Sequence, residues 1–332
     1  MKPYFKKLKS GKWLRGVFVS FLFLVGLLYL GFGYTKWQSQ EIVAQVQEMT
    51  RVVQLPGNVT MELVYISPGS FLMGSPVNEA KRGWDETQHE VELTDGFWLG
   101  KYEVTQEQWQ AIMGHNPSTF LGCRFPVGNV DWNEAVAFCE QLTHLEQSRG
   151  VALGEYTYTL PTEAQWEYAC RAGTTTSLNN GYNLTYPWFS FAACPYLKEV
   201  GWSPLNNNGE IIHNVGLKKP NAWGLYDMHG NVSEWCLDCW TYGDYRPYKQ
   251  NNPLRLFSKT EGKVQYKIRR GGASGPNSSL LRQEWSCRSA SRGFSSIADR
   301  KPNKGFRVCL STALHYLKSP REENGSSSEK SN

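Results

Sequence analysis

Three segments of the chain combine a helix-capping signature with apolar residues at helical spacing. In VTQEQW, Thr105 and Gln108 stand at the two positions of a capping box, and PTEAQWEY repeats the pattern from Thr162. In VDWNEAVAFCEQL, Asp131 and Glu134 play the same part. The apolar residues that follow form one helical stripe: Ala135, Phe138, Cys139 and Leu142. We therefore predict three helices, each packing one face against a core.

Around these helices, residues 61–312 alternate short apolar strands with Gly, Pro and Asn turns, without a long break or a repeat. The chain contains 31 Gly and 16 Pro among 332 residues, a turn-rich composition that disfavours a helix-dominated fold. The pattern predicts a loop-rich single domain of the α+β class.

The N-terminal part reads as a membrane anchor. Residues 16–35 carry no charge and span about 30 Å as a helix, which matches the hydrocarbon core of a bilayer. The basic residues 1–15 precede them, which predicts a single-pass protein with a cytoplasmic N-terminus and an extracytoplasmic domain. The alternative is a cleaved signal peptide with a processing site near Gly31 or Gly33, which would leave the domain secreted.

Two further segments flank the predicted domain. Residues 36–60 include apolar residues at helical spacing, among them Ile42, Val46 and Met49, and are predicted to form a stalk or linker. Residues 313–332 end in a charged, Ser-rich sequence that lacks large apolar side chains, so we predict a disordered tail.

Charge argues against a nucleic-acid partner. The chain has 35 basic and 30 acidic residues, and six of the bases lie in the first 15 residues, which hold no acid. The rest of the chain contains 29 basic and 30 acidic residues. A nearly neutral body lacks the basic surface that phosphate binding requires.

Export changes how the eight cysteines are read, because disulfides form in an oxidising compartment. The CLDC motif, Cys236 to Cys239, is compatible by spacing with half a zinc site, a redox pair, or two cysteines that leave to separate partners. No second motif completes a zinc site. We favour disulfides, either within the motif or to Cys123 and Cys194.

Seven sequence blocks, taken in order, resemble the sulfatase-modifying-factor, or formylglycine-generating-enzyme, family. They are MELVYISPGSFLMGS, HEVELTDGFWLGKYEVTQEQW, PVGNVDWNEAVAFC, LPTEAQWEYACRAG, NAWGLYDMHGNVSEW, RRGGAS and GFRV. The resemblance covers about 250 residues and implies a compact α+β domain with a C-type-lectin-like core.

The family's authentic enzymes oxidise a sulfatase cysteine to formylglycine with molecular oxygen and copper(I), held by two cysteines in the segment after RGGS. Here that segment reads ASGPNSSLLRQEWSCRS, with no cysteine between Cys239 and Cys287, and Ala273 replaces the family serine. Copper(I) prefers soft thiolate ligands. We therefore expect no copper and assign no catalytic residue.

The resemblance also implies disulfides and a calcium site. Position by position, Cys139 would pair with Cys309 and Cys170 with Cys287, each bond contributing about 4 to 5 kcal/mol in the chain-entropy model. Cys309 lies one residue after the family position, and Cys287 resembles a structural family cysteine.

The family's calcium motif maps onto the segment DMHGNVSEW. Its implied ligands are Asp227, Gly230, Val232 and Glu234, which offer the oxygen atoms that calcium prefers. The alternative is a turn leading into a strand, with Glu234 in a salt bridge and Trp235 in the core. A second family calcium site has no match.

Together these observations predict a membrane-anchored, exported family member without copper-dependent oxidase activity, which binds a protein or peptide ligand in the cell envelope. One alternative is a maturation oxidase that uses other residues, such as the thiols of Cys236 and Cys239. A weaker alternative is a carbohydrate-binding module, since fold alone is poor evidence for a site.

Overall fold

The computed structural model describes residues 49–185, 194–241, 249–256, 265–275 and 284–312. The predicted basic segment, membrane anchor and disordered tail lie outside these ranges. Among the described helices, none has the length and apolar character needed to cross a bilayer. The described residues from Arg51 onward belong to one compact unit.

The described part contains four α-helices: α1 Gln106–Met113, α2 Trp132–Ser148, α3 Glu163–Arg171 and α4 Pro195–Val200. The first three begin with the capping boxes that the sequence predicts. The Thr105 hydroxyl accepts from the backbone N–H of Gln108 at 3.3 Å, and the Gln108 side chain accepts from the N–H of Thr105 at 3.0 Å. Asp131 and Thr162 cap α2 and α3 in the same way.

The strands are short. In chain order they are β1 Thr50–Gln54, β2 Thr60–Ile66, β3 Gly69–Met73, β4 His89–Leu93, β5 Phe97–Gly100, β6 Thr157–Thr159, β7 Gly201–Trp202, β8 His229–Gly230, β9 Ser233–Cys239, β10 Gln250–Asn251, β11 Tyr266–Arg270, β12 Gly293–Ser296, β13 Lys304–Gly305 and β14 Cys309–Ser311.

The strands form four small sheets, with the orders β1-β2-β5-β14-β6, β10-β4-β3, β12-β11-β9-β13 and β7-β8. Strands distant in the chain lie side by side, as where β13 pairs in parallel with β9. Short helices, short strands and long connections confirm the predicted loop-rich α+β domain.

Two large apolar clusters hold the domain together. One contains Trp109 of α1, Phe138 of α2 and Phe306, with the rings of Trp109 and Phe138 stacked at 5.5 Å. The other includes Trp166 and Cys170 of α3. The buried stripe of α2 matches the prediction, because Ala135, Phe138, Cys139 and Leu142 are all buried.

The predicted stalk needs a correction at its C-terminal end. Residues 50–54 form β1 beside β2, whereas helical spacing had placed them in the linker 36–60. Val53 and Leu55 are buried in the first apolar cluster. β-Branched residues such as Thr50, Val52 and Val53 favour a strand once a partner strand is available, which local periodicity does not show.

Candidate functional site

A double-glycine turn at the end of β11 forms the roof of a cavity. Gly271 and Gly272 both have positive φ, 87° and 72°, a conformation that glycine adopts without strain. A Cβ on Gly272 would lie 2.8 Å from the sulfur of Cys287, so the turn packs too closely for a side chain. Glycine is therefore required at Gly272 by both conformation and space.

The cavity beneath this turn has a volume of 190 Å³. Three arginines line it, Arg269, Arg270 and Arg292, together with hydroxyl groups that include Ser233 and Ser286. Among the described residues that line it there is no carboxylate, histidine or cysteine. The described lining of the site therefore presents positive charge and hydrogen-bonding hydroxyl groups.

Two of these arginines are neutralised by acids of α3. Arg270 contacts Glu163 at 3.0 Å and also forms an ion pair with Glu167. Arg292 donates two hydrogen bonds of 2.8 Å to the carboxylate of Glu163. Because α3 carries both acids and starts at a fixed cap, it holds these guanidinium groups in place.

Arg269 differs from its two neighbours. Its Nη1 donates to the hydroxyl of Ser233 at 2.6 Å and its Nη2 to the carbonyl of Phe294 at 3.3 Å, both neutral oxygens. Its Nε has no hydrogen-bond partner in the described part of the chain. Burial lowers the pKa of Arg269 to about 10, and the charge of Asp299 offsets this only in part. At neutral pH the group remains cationic.

A second charged cluster lies at the predicted calcium motif. Glu103, Asp227, Glu234 and Arg307 are all buried, at 0–1% exposure. Arg307 donates to both oxygens of Glu234, at 2.7 and 2.6 Å, and Trp166 donates to the same carboxylate at 2.7 Å. The predicted salt-bridge alternative for Glu234 is thus present.

The other two carboxylates of this cluster bind neutral groups. Glu103 accepts from the side chain of Asn231 at 2.7 Å and from the N–H of Val232 at 2.9 Å. One oxygen of Asp227 accepts from the N–H of Gly216 at 2.7 Å, and the other has no partner among the described residues.

The shortage of positive charge in this cluster shows in the pKa values. Burial, with the charges of Asp227 and Glu234, raises the pKa of Glu103 well above its usual value. Burial also raises the pKa of Asp227 to about 6.

Residues 49–312 match a family described as the sulfatase-modifying factor enzyme 1-like domain. The chain belongs to this family. This confirms the resemblance read from the seven sequence blocks.

The chain is similar to several known proteins, and the share of each protein that it spans differs. The chaperone protein LppX of Paenibacillus barcinonensis is 31% identical over 236 residues, which are 61% of this chain and 81% of LppX. The formylglycine-generating enzyme of Mus musculus is 32% identical over 157 residues, only 46% of this chain and 37% of the enzyme. Against the solved structure of PvdO from Pseudomonas aeruginosa the TM-score is 0.61 at 25% identity, over 79% of this chain and 98% of PvdO.

The cysteines of this sulfatase-modifying factor domain lie outside the cavity. All eight are in the described ranges, and no disulfide joins any two of them. Cys139 packs in the first apolar cluster with Val308, whereas Cys309, the next residue of the chain, packs in the second. The pairs Cys139–Cys309 and Cys170–Cys287 stay predictions.

The CLDC motif lies in β9, where Cys236 and Cys239 are both buried. In a regular strand, residues three apart are separated by about 10 Å, whereas the Cα atoms of a disulfide lie within about 7 Å. The pairing of β9 with β11 shifts register opposite these cysteines, so β9 is not regular at this point. A disulfide within the motif and its use as a replacement thiol pair stay predictions.

A buried thiol and imidazole that contact each other, Cys170 and His229, are not activated. The sulfur of Cys170 lies 3.9 Å from Nε2 of His229. That nitrogen accepts from the N–H of Asn179 at 3.0 Å, while Nδ1 donates to the carbonyl of Cys287 at 2.7 Å, which assigns a neutral tautomer. Burial lowers the pKa of His229 to about 4 and raises that of Cys170 to about 12. No thiolate is available here at neutral pH.

Among the described residues, no group of three or more Asp, Glu, His or Cys side chains is arranged to hold a metal ion. The buried carboxylate cluster nevertheless has two features that favour a cation. Three carboxylates face one arginine, and one oxygen of Asp227 is buried without a partner. A carboxylate offers about four acceptor positions, and Glu234 uses three of them. Calcium would therefore have to share Glu234 with Arg307.

Sequence reasoning missed two residues of these sites. Glu103 lies in a family block, but nothing in the local sequence shows that it reaches Asn231, 128 residues away. Arg269 appears in RRGGAS beside Arg270, and the sequence does not show which of the two has a carboxylate partner. His89 is buried at the start of β4.

Proposed function

We propose that this chain is an exported member of the sulfatase-modifying factor family that binds a protein or peptide and lacks copper-dependent cysteine oxidase activity. The observation that carries the proposal is the lining of the cavity beneath the double-glycine turn. Its described lining residues include three arginines and no thiol. By sequence, residues 276–283, which follow the turn, also contain no cysteine.

The chemistry of copper(I) supports this proposal. Copper(I) selects soft sulfur ligands, and the hard hydroxyl and guanidinium groups of the cavity offer none. Similarity to LppX, a relative named as a chaperone protein, supports binding of a polypeptide in place of oxidation.

The test uses the full 332-residue chain, loaded with copper(I) and supplied with oxygen and a peptide containing CxPxR. An authentic formylglycine-generating enzyme is the positive control. We expect no aldehyde by hydrazide labelling and no corresponding mass change in the peptide. Aldehyde formation above the rate with heat-denatured chain would overturn the proposal.

Membrane attachment is part of the same proposal. It is supported by the uncharged residues 16–35 and the basic flank before them. Alkaline carbonate extraction of cells should leave the chain in the membrane pellet. Recovery of the whole chain in the soluble fraction would favour the cleaved signal peptide.

We also propose that the cluster around Asp227 and Glu234 holds calcium, with backbone carbonyls of Gly230 and Val232 as further ligands. The partnerless oxygen of Asp227 and the excess of buried carboxylate support it. When bound, calcium would supply the positive charge that the cluster lacks and would fix the segment between Asp227 and Glu234.

A further inference from the structure

We propose that the cavity beneath the double-glycine turn is a carboxylate-binding site anchored by Arg269, and that its ligand is a peptide presenting an acidic side chain or its C-terminal carboxylate. This inference rests on the proposed peptide-binding function and names the chemistry that the site recognises.

The balance of charge around the cavity points to an anionic ligand. Each charged side chain that lines it in the described part is an arginine. The acids that neutralise Arg270 and Arg292 belong to α3, do not line the cavity and are already held by those ion pairs. No described carboxylate lies within ion-pairing distance of Arg269, so a ligand carboxylate would complete its interactions.

The Arg269 guanidinium is already oriented. Ser233 and the carbonyl of Phe294 each accept one of its hydrogen bonds, and the group lies 5.9 Å from the centre of the Trp235 ring. A guanidinium has five N–H donors in a fixed plane that matches the two oxygens of a carboxylate. Since only two donors are used here, others remain for a ligand, and little side-chain freedom is lost on binding.

The remaining lining groups fit the same ligand. Hydroxyl groups of Ser286 and Ser291 and the amide of Asn303 line the cavity and can donate to oxygen. A volume of 190 Å³ is below the range of about 300–1,000 Å³ typical of drug-sized ligands. The site therefore has the size for one side chain or chain end, and the rest of a bound peptide would lie outside it.

The experiment measures peptide binding to the full chain by ligand-observed NMR titration. Three probes separate the two sources of carboxylate: an Ala-Glu-Ala peptide blocked at both ends, an acetylated Ala-Ala-Ala peptide with a free C-terminus, and a doubly blocked Ala-Gln-Ala peptide as the neutral control. The variants are Arg269→Gln and Arg269→Lys. Arg149→Gln serves as the matched control, because it removes one positive charge from an exposed position.

We expect at least one acidic probe to bind more tightly than the neutral peptide. Arg269→Gln should weaken that binding by about tenfold or more, as expected for loss of a charge-assisted hydrogen bond. Arg269→Lys should have an intermediate affinity, since it keeps the charge but loses the planar fork. Arg149→Gln should stay within about twofold of the unmodified chain.

Equal binding of acidic and neutral peptides, or equal affinity in Arg269→Gln and Arg149→Gln, would overturn the carboxylate site and leave peptide binding in place. Binding of none of the three probes would overturn it as well. Aldehyde formation from the CxPxR peptide would instead overturn the missing oxidase activity alone, so the two failures are distinguishable.

Discussion

The cavity beneath the double-glycine turn and the buried carboxylate cluster both have unbalanced charge. The excess charge is positive at the cavity and negative at the cluster. At the cavity, Arg269 has no acid within ion-pairing distance in the described chain. At the cluster, Arg307 pairs with Glu234, while Glu103 and Asp227 form no ion pair among the described residues. Other buried charges have partners of opposite sign: Arg270 pairs with Glu163 and Glu167, and Arg307 pairs with Glu234. Complete pairs define the structure, whereas the leftover charge of each sign marks where a ligand of the opposite sign is expected.

Breaking a complete pair should have the largest effect. Arg307→Met leaves the carboxylate of Glu234 buried without its cation, which costs about 3–5 kcal/mol of unfolding free energy. Arg300→Met is the control, because Arg300 is 51% exposed where it pairs with Asp131 and Glu134. That variant should lose about 1 kcal/mol or less in urea denaturation. Similar losses in both variants would show that burial of the Arg307 pair has no special weight.

Protonation of Asp238 should give the next largest effect. Burial and the nearby charge of Glu163 raise the pKa of Asp238 from 3.8 to about 7, so the folded chain holds a proton there that the unfolded chain has released. Its contribution to stability is therefore present at low pH and is lost as pH rises from about 4 through 7, by roughly 2–4 kcal/mol.

Asp238→Asn removes this titration, so its unfolding free energy should depend less on pH across that window, even if it is lower overall. The lowered pKa of His229, about 4, acts in the opposite direction as pH falls below 6.5. Unchanged pH dependence in Asp238→Asn would assign the effect to other groups.

Removal of calcium should have the third largest effect on stability. A ligand that binds only the folded chain stabilises it by about 2.7 kcal/mol at a concentration 100 times its dissociation constant. We expect the melting temperature of the chain to fall on chelation and to recover with calcium but not with magnesium. Asp227→Ala should abolish that response. If chelation lowers the melting temperature of Asp227→Ala equally, calcium binds elsewhere.

The smallest effect should come from Arg269→Met. Removing a cation that has no acidic partner should leave the unfolding free energy within about 1 kcal/mol, because no carboxylate is left behind uncompensated. Set beside Arg307→Met, this variant measures directly whether a buried arginine is structural. A loss as large as that of Arg307→Met would mean that Arg269 already has a strong partner within the chain.

Local signals in the sequence predicted the helices, because a capping box is formed by residues three apart in the chain. Both the start and the buried face of α2 could be read in this way. Strand β1 could not, since Thr50–Gln54 become a strand only when β2 lies beside them. The absence of the two copper-binding cysteines could be read directly from the sequence. That Arg269 lacks a carboxylate partner could not, because it depends on the fold placing the acids of α3 beside Arg270.

The close packing of Gly272 against Cys287 limits how the ligand specificity of the cavity can be changed by mutation. Substitutions in the double-glycine turn should impair folding, because a Cβ at Gly272 would lie 2.8 Å from the sulfur of Cys287 and both glycines have positive φ. Substitutions intended to change specificity are better placed at the other lining residues Ser286, Ser291 and Asn303. There, replacement side chains can extend into the cavity and leave the backbone unchanged.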